Sequence, residues 1–265
     1  MRIVQMSDIH VGKHVPEMLE AVIEDTNELD PDFVAVAGDL TGSGHRWEFE
    51  EAKEHLDRLT CPNVVAIMGN KDAKNVGRRH FGDLFGPRER ATTVSVPEGE
   101  AKVVALDSTR MDLDGGEVGA GSYPWIDSEL KGWDRGPKIV MLHHHLLAVP
   151  GTGLDSAILD DAGDLTAILC ELEVDMVLCG HKHVPYMWSV SGVRIVHSGT
   201  ASTTQVRGVI PPSYNFIEFG PEEVHVTLRQ PGKGKDGERP LASFARNPTR
   251  TSRLYPEMEW FVRYD

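Results

Sequence analysis

Short clusters of Asp, Asn, Gly and His recur along this chain in order: Asp8-Ile9-His10, Gly38-Asp39, Gly69-Asn70, His143-His144-His145 and Gly180-His181-Lys182-His183. Each follows a short apolar run. Carboxylate, carboxamide and imidazole donors delivered from several strand ends can converge and hold more than one metal ion. Asp8 and His10 are alternate residues leaving one strand, so they can face the same side, and His181 and His183 repeat that spacing. Asp39, on a turn after Gly38, is the candidate bridge, because a carboxylate between two cations offsets their repulsion and fixes their separation. Asn70 can bind through its neutral amide oxygen, which limits the negative charge of the set. Oxygen and nitrogen donors without a thiolate disfavour a purely structural zinc and suit Mn, Fe, Zn, Co or Ni. A pair of such ions can clamp a phosphoryl oxygen, generate hydroxide near neutral pH and stabilise a leaving oxygen. Phosphate-ester hydrolysis uses all three.

The elements that carry these clusters alternate. Residues 2–6 read as a buried strand, and Pro16 opens a helix with apolar residues at helical spacing that ends before Pro31. Phe33–Ala37 and Val64–Met68 are apolar strands running into Gly38-Asp39 and Gly69-Asn70, with a helix over about 46–59 between them. Such alternation implies parallel strands buried on both faces. The middle reads as paired strands over 91–96 and 101–107, a helix from Pro124 to about Trp133, a strand over 138–142, a helix over 160–172 and a strand over 175–179. Short strands near 186–190, 193–197, 214–219 and 223–229 complete an antiparallel pattern. The expected domain therefore covers 1–229. Residues 230–265 read as a C-terminal extension, mobile around Pro231-Gly232-Lys233-Gly234-Lys235. Its aromatic end, Tyr255 to Tyr264, would dock on the body or on a second subunit, which leaves a homodimer open.

Bulk properties narrow the classes. A chain of 265 residues can bury one large core, and 40% apolar with 26% charged residues is ordinary for a soluble protein. No apolar run reaches the roughly 18–20 residues of a membrane span. The N-terminus enters a strand directly, with no signal-peptide pattern. Three cysteines without metal-type spacing argue against a disulfide framework, so the cytoplasm is the expected location. A net charge of −14 argues against nonspecific nucleic-acid binding. One local basic excess, Lys71, Lys74, Arg78, Arg79, Arg88 and Arg90, is placed either to meet an anionic substrate or to form a solvated surface. His14, His45, His55, His80 and His225 show no partner pattern and read as ordinary surface or helix residues. His197-Ser198-Gly199-Thr200 reads equally as cleft lining or as a plain turn.

The ordered clusters resemble the calcineurin-like metallophosphoesterase family over about residues 1–220. That resemblance implies an α/β protein, a four-layer α/β/β/α sandwich of two mixed sheets with a binuclear metal centre. Carried over by position, one metal takes Asp8, His10, Asp39 and His183, and the other takes Asp39, Asn70, His143 and His181. The two divalent or trivalent ions are read as Mn, Fe, Zn, Co or Ni. Leu106-Asp107-Ser108, Gly121-Ser122-Tyr123-Pro124-Trp125 and Leu142-His143-His144-His145 are similar to the cyclic-nucleotide-phosphodiesterase-like branch. The implied reaction is phosphodiester hydrolysis of a small phosphorylated substrate by metal-bound hydroxide beside Asp39, with Asn70, Lys71 and His143 as catalytic residues. Lys71, His144, Arg78 and Arg79 are the expected substrate contacts, and His145 is read as structural.

One position departs from the family pattern, which has His after Gly-Asn where this chain has Lys71. Lysine holds its proton too tightly to be an efficient general acid near neutrality. Lys71 therefore either donates a proton under the influence of adjacent cations or clamps the phosphate as a fixed charge, with Asp72 orienting it or serving as a helix N-terminal charge. The rival readings are a nucleotide pyrophosphatase or phosphomonoesterase, a nuclease, and a non-catalytic metal-binding scaffold.

Overall fold

The computed structural model describes residues 1–97, 99–152, 158–207 and 209–248. The aromatic end at 255–264, read as a docking segment, lies outside the described residues.

The first half of the chain builds strand–helix units. They are β1 (Arg2–Met6), α1 (Pro16–Leu29), β2 (Phe33–Val36), α2 (Arg46–Leu56), β3 (Val64–Ala66) and α3 (Gly77–Phe85). Pro16 starts α1 where no backbone donor is needed, and Asp30 ends it in a left-handed conformation at φ 45°. A capping box opens α2, with Glu48 accepting the backbone N–H of His45 at 2.8 Å. The middle supplies β4 (Arg90–Val96), β5 (Gly99–Ala105), α4 (Tyr123–Leu130), β6 (Lys138–Met141), α5 (Ala162–Glu171), β7 (Met176–Cys179), β8 (Tyr186–Val190) and β9 (Val193–His197). The chain then returns through β10 (Tyr214–Phe219), β11 (Glu223–Arg229) and β12 (Arg239–Ala245).

Among the described residues these strands form two mixed six-stranded sheets, ordered β12-β11-β10-β1-β2-β3 and β4-β5-β6-β7-β9-β8. β1, β2 and β3 run parallel, while β10 pairs antiparallel with β1 on its other edge. Strand alternation explains the continuous apolar runs. Val4 and Met6 of β1 face α1 and α2, whereas Ile3 faces the second sheet. Met176 and Leu178 of β7 meet the first sheet, while Val177 packs with Leu165 and Leu169 of α5. The interior strands thus bury both faces, giving helix, sheet, sheet and helix layers as the family resemblance implied. A polar link crosses the middle layer: Gln5 Nε2 donates to Cys179 O and Val196 O of the second sheet, both at 3.0 Å. No helix among the described residues is long and apolar enough to cross a membrane.

Two elements differ from expectation. The sheet does not end at residue 229: β12 continues it, paired antiparallel with β11. This strand is an edge, half exposed and carrying Pro240, so it lacks the apolar signal of an interior strand. The basic segment after Asn70 holds α3, whose Phe81 ring stacks on Phe85 at 5.3 Å and meets Phe49 of α2 edge-on at 6.3 Å.

Candidate metal centre

All seven expected donors come from turns at the ends of β1, β2, β3, β6 and β7. The glycines in these turns are dictated by crowding. A Cβ on Gly69 would lie 2.2 Å from Asp39 Oδ1, and one on Gly180 would lie 1.8 Å from Ser7 Oγ and 2.8 Å from Asp8 Oδ2. The donors themselves sit in unusual backbone: Asp8, His10, Asp39, His181 and His183 have φ of 55°, 54°, 52°, 75° and 56°. Left-handed backbone costs a non-glycine residue on the order of 1–3 kcal/mol, and such residues gather where the surrounding structure needs their side chains aimed.

The side chains converge in two adjoining groups. In the first, His183 Nε2 lies 3.1 Å and His10 Nε2 lies 3.7 Å from Asp8 Oδ1. In the second, His143 Nε2 and His181 Nδ1 lie 3.2 Å and 3.0 Å from Asn70 Oδ1. Asp39 stands between them, with Oδ2 3.8 Å from His10 Nε2 and Oδ1 3.5 Å from His143 Nε2.

Outer contacts set the aim of each donor. His143 Nδ1 bonds Ala37 O at 2.8 Å and His10 Nδ1 bonds Thr41 O at 3.3 Å, which leaves both Nε2 atoms inward. His183 Nδ1 bonds Gln205 O. Asn70 Nδ2 donates to Asp114 Oδ1 at 2.8 Å, which turns the amide oxygen toward the imidazoles. Asp72 is a hub between turns: it accepts from the N–H groups of Gly69, Leu40 and Thr41 and from Thr41 Oγ1. Thr200 Oγ1 and Ser202 Oγ donate to the carbonyls of Asp8 and Ile9, both at 2.7 Å.

The donors fit metal ions. Asp8 Oδ1 is buried and accepts no well-formed hydrogen bond. The Nε2 atoms of His10 and His183 face each other at 3.0 Å, an arrangement that needs a proton or a cation between lone pairs. Burial pushes the Asp39 carboxyl up to about 8, helped by the charge of Asp8. Burial also opposes charge on Asp8, but His183 outweighs it and holds that carboxyl below the usual range. Burial brings His10 down to about 4 and lowers His181 well below the ordinary value. His183 goes the other way: Asp8 overcomes its burial and raises it to about 9. Near neutral pH the buried Asp39 carboxyl and the His183 ring therefore keep protons, which bound metal ions would displace.

The expected substrate contacts fare differently. Lys71 stands at the rim, its Nζ 2.7 Å from Asp114 Oδ1 and its backbone N–H donating to Asp39 Oδ1 at 2.7 Å. Its partner is therefore Asp114, not Asp72. His144 is buried with both ring nitrogens engaged, Nδ1 by Ser108 Oγ at 2.9 Å and Nε2 by Asp114 O at 3.1 Å, and its ring centre lies 4.8 Å from that of His181. Arg78 pairs with Asp107 at 3.0 Å, as does Arg88. Arg78 and Arg88 line a flanking cavity of about 620 Å³ to which none of the seven donors contributes. Arg79 is exposed on α3. Nothing in the sequence marked Asp114, Thr200 or Ser202 individually. The Ser-Gly-Thr after β9 was the one visible trace, and it supports the β1 turn instead of lining a cleft.

The family model described as calcineurin-like phosphoesterase matches residues 1–185. This chain belongs to that family. Its relatives in the family include a 3',5'-cyclic-nucleotide phosphodiesterase of Nostoc sp., 28% identical over 193 residues covering 68% of this chain and 71% of the relative. Another is the 3',5'-cyclic adenosine monophosphate phosphodiesterase CpdA of Escherichia coli, 26% identical over 196 residues, 69% of this chain and 70% of the relative. Among solved structures, a purple acid phosphatase from yellow lupin shares the fold with a TM-score of 0.69 at 14% identity. That match takes in 92% of this chain and about half, 53%, of the lupin chain. GAP50 of Plasmodium superposes with a TM-score of 0.68 at 14% identity over 96% of this chain and 90% of its own.

Proposed function

We propose that this calcineurin-like phosphoesterase hydrolyses phosphodiesters of small molecules, of the cyclic-nucleotide, glycerophosphodiester or aryl-diester type, with two metal ions. The observation that carries this reading is the position of Asp39, whose two oxygens face separate donor groups at 3.8 Å and 3.5 Å. Asp8, His10, Asp39 and His183 would hold one ion, and Asp39, Asn70, His143 and His181 the other. When bound, such ions supply Lewis acidity, charge neutralisation for the phosphoryl group and a nucleophile at neutral pH.

The chain's own residues orient and clamp. Asp114 fixes the Asn70 amide and holds the Lys71 ammonium at the rim. An incoming phosphate would compete with Asp114 for Lys71, which supports a clamp beside the donors more directly than a proton donor. The phosphodiesterase names of the relatives from Nostoc and E. coli favour diesters over monoesters. A nucleotide pyrophosphatase or phosphomonoesterase is the competing reading.

The deciding measurement uses aryl diester and aryl monoester substrates with one common leaving group, assayed with Mn, Zn, Co, Ni and Mg, with cyclic AMP alongside. Faster diester turnover with at least one metal is expected. A faster monoester rate with every metal assigns the chain to the competing reading. Stoichiometric metal without turnover of any ester returns it to a scaffold.

A further inference from the structure

Where the loop before α1 crosses the face of α2, it brings His14 against Glu51 and His55. One ring nitrogen of each histidine and one carboxylate oxygen of Glu51 lie within 4.8 Å of one another. Glu51 and His55 are one helical turn apart on α2 and so share a face. His14 arrives from the opposite side, its Nε2 3.5 Å from Glu51 Oε1. Its side chain is 7% exposed, yet neither of its ring nitrogens makes a hydrogen bond. A buried imidazole left in that condition costs free energy that a ligand recovers. Burial, ahead of the attraction of Glu51, lowers the proton affinity of His14 and keeps its lone pair available. A second carboxylate is at hand, with Glu20 Oε1 3.2 Å from His55 Nδ1 and Arg58 holding Glu20 Oε2 at 2.6 Å.

We propose that His14, Glu51 and His55 form a transition-metal site separate from the catalytic donors, taking one ion of the Zn2+ class. Two imidazoles and a carboxylate are a set that zinc accepts, with a fourth position left open. Bonds of about 2.0–2.1 Å place tetrahedral zinc donors about 3.3 Å apart. The His14–Glu51 pair is near that edge length already, and the remaining donors reach it by side-chain rotation. The ion joins the loop to α2 within four residues of the catalytic donor His10, so it acts as a clip on the turn that positions that histidine. The histidines read from sequence as isolated are, in this place, two parts of one site.

The test compares full-length protein in four forms: wild type, Asp39→Asn, the double variant His14→Gln/His55→Gln, and all three changes together. Each is stripped with chelator, incubated with Zn2+ and passed through gel filtration before metal analysis. We expect the double variant to retain one equivalent fewer than wild type, and the Zn2+-dependent rise in melting temperature of Asp39→Asn to vanish in the triple variant. In Co2+-loaded protein, the difference between wild type and the double variant should show tetrahedral absorption bands. Glu51→Gln, which keeps the shape of the cluster, should also lose the equivalent and covers the case in which the double variant misfolds. Equal metal retention in wild type and folded double variant, or zinc binding that gel filtration removes from both, overturns the site. The catalytic reading fails separately, through unchanged metal content in Asp39→Asn.

Discussion

Single residues carry the chemistry, and their visibility depended on what surrounds them in the chain. The seven candidate donors were legible because each lies just past an apolar strand, with Asp39, Asn70 and His181 directly after a glycine, and at Gly69 and Gly180 crowding leaves no room for a Cβ. Asp114 was not legible, because its partners Asn70 and Lys71 lie more than forty positions away and only the fold brings them together. Replacing Lys71 with alanine is expected to lower kcat/KM on aryl diesters roughly 10- to 100-fold, the equivalent of one charge-assisted hydrogen bond. Lys71→His should recover part of that rate, and an unchanged rate in Lys71→Ala rules out the clamp. His144 yields a pH prediction. Burial brings its ring from the ordinary 6.5 down to about 3 in the metal-free protein. The unfolded chain takes up that proton near 6.5 and the folded chain does not. The ring's contribution to stability is therefore full above that pH and drains away as pH falls toward 3. NMR titration of metal-free protein should show no His144 midpoint above pH 5, and a midpoint at the ordinary value contradicts the burial argument.

Elements position these residues by tying strand-end turns to each other. Asp72 joins the turn after β2 to the turn after β3 through three backbone donors and one hydroxyl, all of buried residues. Asp72→Ala is expected to destabilise the fold by about 3 kcal/mol, since the loss leaves buried donors without an acceptor. Denaturant midpoints would measure it, and metal content should fall in the same variant. A loss below about 1 kcal/mol would show that the turns hold without Asp72. Helices and interior strands were readable because burial of one or both faces writes periodicity into the sequence. The exceptions were α3, whose arginines hide the aromatic contacts of Phe81 and Phe85, and β12, whose exposed edge position asks little of its residues.

At the scale of the molecule, two sheets press their inner faces together and each covers its outer face with helices. Leu178 of β7 sits fully buried in the layer between the sheets. Leu178→Ala removes a side chain from the place least able to collapse, and should cost about 2–5 kcal/mol. That corresponds to a fall in melting temperature of roughly 4–20 °C. A smaller shift, measured with metal present at saturation, would mean that the inter-sheet layer repacks. The four-layer arrangement was implied by resemblance, whereas the continuation of the first sheet beyond residue 229 was not, because nothing in the local sequence states which edge β12 will join.

The antiparallel pairing of β1 with β10 has a consequence for biosynthesis. The residues opposite Arg2 to Gln5 are Asn215 to Glu218. At about 5–20 residues per second, a ribosome needs roughly 10–40 s after making β1 to make the strand that covers its edge. Throughout that interval the nascent chain holds β1 with one side open to association. For most of it Asp8 is also without His183, and these two candidate donors cannot meet until translation has passed the β7 turn. Closure of the first sheet, and any metal loading that needs both donors, therefore waits on strands made late in synthesis.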